Sequence, residues 1–170
     1  MTRILLLTVA IVLGACASLD LGTARAVARL DPLTVDPADI AVRLTPPAGM
    51  DVQDGSARLR LSARRGTEER GTDIDLRRSG DVWTIPAEDH ARLRAEQAAI
   101  AAWKADDPST EGSLSVTMDP CRTGALPLGQ TGSVAIRLAP GAPFLPLLTD
   151  APVQRLLGEG DAQGLPLCRN

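Results

Sequence analysis

The chain has 170 residues, with 18 basic and 21 acidic side chains for a net charge of −3, and 44% of its residues are hydrophobic. That suffices for one packed domain, is short for two, and excludes a disordered composition. Aromatic residues make up 2% (Trp83, Trp103 and Phe144, with no Tyr), which together with the acidic balance excludes a nucleic-acid-stacking surface and nucleic acid as a partner. A single histidine, His90, leaves little room for metal or acid–base chemistry, and the sequence implies no cofactor and no metal.

In chain order, the first feature is a short start with Arg3, an apolar run from Ile4 to Leu13 broken only by Thr8, and then Gly14-Ala15-Cys16. A positive start, an apolar stretch of this length and small residues before a cut form a secretory signal peptide. At 1.5 Å per residue the run covers roughly half of the bilayer's hydrocarbon core, too little to span it.

Leu13-Gly14-Ala15-Cys16 resembles the lipobox of bacterial lipoproteins: Leu, a small residue, Gly or Ala, then Cys. The resemblance implies removal of residues 1–15 and a diacylglycerol thioether on Cys16, with palmitate-type chains. Two or more acyl chains give stable anchoring. In Gram-negative lipoproteins an Asp after the cysteine marks inner-membrane retention. Ala17 and Ser18 stand here, so the resemblance implies the outer membrane, facing the periplasm. It says nothing about the fold of the region that follows.

Residues 16–24 read as a lipidated tether, and 25–170 as a single globular β-rich domain. Its main signal is period-two alternation. Ile40, Val42 and Leu44 alternate with Ala41 and Arg43. Leu59, Leu61 and Ala63 alternate with Arg58, Arg60, Ser62 and Arg64. Ile74 and Leu76 alternate with Asp73, Asp75 and Arg77. Residues 81–85 form a short strand. Leu114, Val116 and Met118, then Val134, Ile136 and Leu138, continue the pattern, and 25–30 is a candidate seventh strand. One wet and one buried face is the mark of antiparallel sheets.

A helix is expected over about 86–105, with Pro86 in its first turn, Glu88 and Asp89 at the positive end of its dipole, and Leu93, Ile100 and Trp103 as its stripe, padded by Ala98 and Ala99. Residues 140–148 carry too much proline for a central strand. A short helix is expected over 151–158, with Asp150 near its N-cap and Pro152 in its first turn. The expected fold is therefore mainly β: an antiparallel sandwich or partly open barrel of six to seven strands, a covering helix and a short C-terminal helix.

With Cys16 used by lipid, Cys121 and Cys168 remain as an even pair in an oxidising compartment, and a Cys121–Cys168 disulfide is expected. Arg58, Arg60 and Arg64 read either as a patch for an anionic ligand or, by preference, as partners of Asp73, Asp75 and the neighbouring Arg77 across a hairpin. His90 reads as a boundary residue in preference to a general base, since neither G-x-S-x-G nor S-x-x-K occurs. Asp73-x-Asp75 and Asp106-Asp107 read as solvation or capping in preference to metal or glycosidase carboxylates. Trp83 and Trp103 read as core anchors in preference to the lining of a ligand cavity. The apolar stretch 140–148 reads as packing under the disulfide-tethered tail in preference to a partner or lipid site.

The expected role is a non-enzymatic structural or adaptor domain held on the membrane by its lipid and bound to another envelope protein. A lipid- or small-apolar-ligand-binding module is the alternative, and an envelope hydrolase the second.

Overall fold

Alternating side chains build sheets only where their apolar faces find one another, and here they do so across two layers. The computed structural model describes residues 32–157 and 164–169. The signal peptide, the lipobox, the tether and the candidate strand at 25–30 lie outside them. The described strands are β1 (Ala41–Thr45), β2 (Met50–Val52), β3 (Arg58–Arg65), β4 (Glu68–Asp75), β5 (Arg77–Ser79), β6 (Val82–Thr84), β7 (Glu111–Thr117), β8 (Pro120–Arg122), β9 (Thr131–Arg137) and β10 (Leu145–Pro152). The main helix α1 runs His90–Asp106, and α2 covers Val153–Leu157.

All strand pairs are antiparallel. One sheet has the order β10-β9-β1-β6-β5, a second β4-β3-β7, and β2 pairs with β8. The sheets are open at their edges and form a sandwich, not a closed barrel. Val42, Trp83 and Ile136 of the larger sheet share one buried cluster with Leu59, Leu61 and Ile74 of the smaller. Leu93 and Ile100 of α1 complete it. The fold is mainly β, as the alternation implies.

Several details depart from the sequence reading. The run around 73–77 is not one strand, because β4 ends at Asp75 in the smaller sheet and β5 starts at Arg77 in the larger. Buried Leu76 turns this corner, its N–H donating to the carbonyl of Ala57 at 2.8 Å. Strand number exceeds six to seven because β2, β5 and β8, of three residues each, are too short to show a period.

The second half of the proline-rich stretch enters β10, which pairs with β9 alone and shifts register twice. An edge strand tolerates Pro146 and Pro152, which have no N–H to give. For the same reason α2 starts at Val153: Ala151 and Pro152 still belong to β10, and Asp150 (φ 47°) donates its N–H to Ser133 Oγ instead of capping the helix. In α1, preceded by a 3-10 turn over Ala87–Asp89, the fully covered positions are Leu93, Gln97 and Ile100. Gln97, not the alanines, fills the stripe. Its side-chain amide donates to the carbonyls of Pro32 and Val35, both at 2.8 Å, which satisfies a polar group that burial would otherwise penalise.

The Cys121–Cys168 disulfide is present. Cys121 sits within β8, fully buried. The tail beyond Gly164 is strapped to β8: Arg122 N–H donates to Pro166 O, Cys168 N–H donates to Arg122 O, and the Gln53 side chain bonds Arg169 N–H and C=O. Gly49 (φ 82°) makes the turn into β2 beneath the carbonyl of Ala125, a contact that no side chain would allow. No helix among the described residues is long and apolar enough to cross a membrane.

Candidate functional site

The inner face of the smaller sheet is covered unevenly. Helix α1 packs on β3 and β4. The apolar residues of β7, Leu114 and Val116, are only partly covered, and Met118 follows in the same state. Facing them are Val42 and Leu44 of β1 and Val134 and Ile136 of β9, the inward residues of the larger sheet. Between these walls lies a cleft of about 450 Å³. Its floor is Met50 and Val52 of β2 with Pro120 of β8, and its rim is Leu147 and Leu148 of β10 with Leu156 and Leu157 of α2.

Backbone register sets this geometry. The one-to-one pairing of β1 with β9 from Ala41↔Arg137 to Thr45↔Ser133 aligns Val42 with Ile136 and Leu44 with Val134 on one face. The pairing of β3 with β7 aligns Leu59 with Val116 and Leu61 with Leu114. The floor is held by the β2–β8 pair, which the disulfide ties to the tail.

Among the described residues the lining carries two polar side chains, Asp51 and Thr117. The Asp51 carboxylate lies 2.9 Å from Arg78 and accepts its neighbour Val52 N–H at 2.8 Å, so it is already spent. Such a surface has no acid–base or ligand-activating chemistry to offer. It attracts apolar groups, at roughly 25 cal/mol per Å² removed from water, and its volume falls in the ordinary range of binding sites, ~300–1,000 Å³.

The other candidates are placed elsewhere. Arg58 faces Asp75 at 3.2 Å, and Arg60 holds Asp73 at 2.8 Å and Glu69 at 3.0 Å, the cross-strand arrangement expected from the alternation. Arg64 turns to Glu111 of β7 at 3.1 Å and not toward Arg77, which belongs to β5 and pairs with Glu88. The Glu69 and Asp73 carboxylates hold the Arg60 guanidinium above its usual pKa. All seven arginines from Arg58 to Arg78 have a carboxylate within ion-pair distance. The stretch is a self-neutralised face, and an anionic ligand would have to displace those carboxylates.

His90 Nε2 lies 3.1 Å from the carbonyl of Ile85, which pins the entry to α1. Asp107 accepts the N–H and hydroxyl of Ser109, bonds that lower its carboxyl pKa and close the turn after α1. Among the described residues no group of three or more His, Cys, Asp or Glu side chains is placed to hold a metal ion. Trp83 is buried in the core, and Trp103 is flanked by Arg65 and Arg70. Neither lines the cleft.

The 140–148 stretch is divided in a way the sequence reading did not foresee. Phe144 stacks against Arg43, whose guanidinium lies 3.9 Å from the ring centre, while Leu147 and Leu148 face the cleft. The tail itself is held by hydrogen bonds to Arg122 and Gln53. Alternation told which residues of β1, β7 and β9 point inward. It carried no signal that the inward faces of β7 and β9 leave space between them.

Comparison of the chain with protein-family models, with curated proteins and with solved structures finds no match.

Proposed function

We propose that this chain is an outer-membrane lipoprotein facing the periplasm, anchored through acylated Cys16, and that it works without catalysis as an adaptor: its cleft receives an apolar segment of another envelope protein. The observation that carries the reading is the cleft of about 450 Å³ walled by β1, β9 and β7, with no free charge among its described lining residues. An apolar surface of that extent left open to water is a binding surface in waiting, because any apolar occupant releases its hydration. The lipid anchor supplies the location.

A second reading, a small apolar ligand such as a single acyl chain, is favoured by the same volume and by the spent Asp51 carboxylate, which leaves nothing to repel a hydrocarbon.

Photo-crosslinking in cells separates the two. A photoreactive residue at Val116 or Leu147 of the acylated chain is expected to give a discrete adduct, and the same group at outward-facing Ser113 none. A protein adduct supports the adaptor, and a lipid adduct supports the second reading. Equal or absent labelling at all three positions contradicts both. The anchor has its own test: Cys16→Ser must lose detergent-phase partitioning.

A further inference from the structure

Among the described residues the sandwich has several sheet edges, and all but one are blunted, that of β2 by its length of three residues. β10 carries Pro146, Pro152 and two register shifts. β4 presents Glu68, Glu69, Arg70, Asp73 and Asp75. β5 is three residues long with Arg77 and Arg78. β8 is bridged by Leu167 of the tail. Prolines, bulges, charges and shortness are the devices by which proteins keep foreign strands from adding to a sheet.

β7 has none of them. Its seven residues, Glu111–Thr117, contain no proline and one charge, and that charge is paired with Arg64. Its register against β3 runs unbroken from Glu111↔Arg64 to Thr117↔Arg58, so the strand is regular along its whole length. Among the described residues no strand pairs with its other side. Leu114 and Val116, which point inward from this edge, are also wall residues of the cleft. An open row of backbone N–H and C=O groups therefore lies beside an unfilled apolar space.

We infer that β7 is the docking strand: an extended segment of the partner protein adds to its free edge as a fourth strand of the smaller sheet, and alternate apolar side chains of that segment enter the cleft. This deepens the adaptor reading above and rests on it. In strand addition, main-chain hydrogen bonds supply affinity and pockets for alternate side chains supply specificity. The charge pattern narrows the partner. Inward positions must be apolar and uncharged, because the one carboxylate among the described lining residues is held by Arg78. Outward positions lie beside Ser113, Ser115 and Thr117, which suits small polar residues.

The test uses the full acylated chain in lipid nanodiscs with two probes, the blocked heptapeptide Ac-Thr-Val-Thr-Val-Thr-Val-Thr-NH₂ and decan-1-ol, read by amide hydrogen exchange and methyl shifts. In the free protein alternate amides of β7 are expected to exchange as open-edge amides. The heptapeptide is expected to slow them by about tenfold or more. N-methylation of either its valines or its threonines, whichever set faces β7, is expected to weaken binding by about tenfold or more through lost hydrogen bonds, the other set having little effect.

Full protection of β7 in the free protein overturns the inference, since the chain itself then covers the edge. Equal affinity of the peptide and both methylated forms also overturns it. If decan-1-ol shifts the cleft methyls while the peptide leaves β7 unchanged, strand addition fails and cleft binding stands. If neither probe shifts the cleft methyls, both fail.

Discussion

The two halves of the smaller sheet's inner face differ in what lies opposite them. Over β3 and β4, Leu93 and Ile100 of α1 are almost fully buried, Gln97 satisfies two backbone carbonyls, and Arg70 on β4 reaches Glu96 at 2.8 Å. Over β7, Leu114 and Val116 meet the walls of a cleft. Both halves come from the same alternation of apolar and polar residues. The sandwich is packed tightly where a helix closes it, and the cleft lies where none does.

The largest effect is expected at the cleft floor. Replacing Cys121 and Cys168 together by Ala removes a covalent link spanning 47 residues, and the chain-entropy argument puts its loss at about 4 kcal/mol. Urea unfolding with and without the pair measures it, and an unchanged midpoint would mean that the strap on β8 holds without the bond. Next comes the contrast itself. Ile100→Ala should cost about 3 kcal/mol, because the packed helix side cannot collapse around the void. Val116→Ala, beside space that is already open, should cost about 1 kcal/mol or less. Similar losses would erase the distinction between the two halves.

Gln97→Ala should cost about 2 kcal/mol, since it orphans two buried carbonyl acceptors. Gln97→Glu, tested by thermal melting, should be no better, because a carboxylate cannot donate to them. The smallest effect is on pH dependence. Hydrogen bonding from Ala38 N–H, then from Arg94, holds the Asp36 carboxyl below its usual pKa. Its contribution is therefore complete above the ordinary carboxylate range and is lost as pH falls through the lowered value. Asp36→Asn should flatten that acid limb by slightly lowering stability above pH ~6, with little change at the acid end of a urea series.

Much of this was legible in the chain. Leu59, Leu61 and Ala63 set against Arg58, Arg60 and Arg64 gave β3, its buried face and its carboxylate-facing side. The pairing of Cys121 with Cys168 followed from setting Cys16 aside as the expected acylation site. The very short strands were not legible, because three residues show no period, and neither was the corner at Leu76, where alternation continues unbroken while the chain changes sheets. Gln97 was missed because a polar residue on a helix reads as solvent-facing until two uncapped carbonyls are placed above it. The cleft was invisible for a deeper reason. Alternation says which face a side chain takes, and only the packing of one layer on another says whether that face is filled.

The most direct test of the central claim is a xenon titration followed by carbon-13 methyl spectra of the full chain. An apolar space of this size takes up xenon. Saturable shifts are predicted at the methyl groups of Leu114, Val116, Val134 and Leu147, with Leu93 and Ile100 silent. Silent cleft methyls, or shifts of equal size at the helix, would contradict the account.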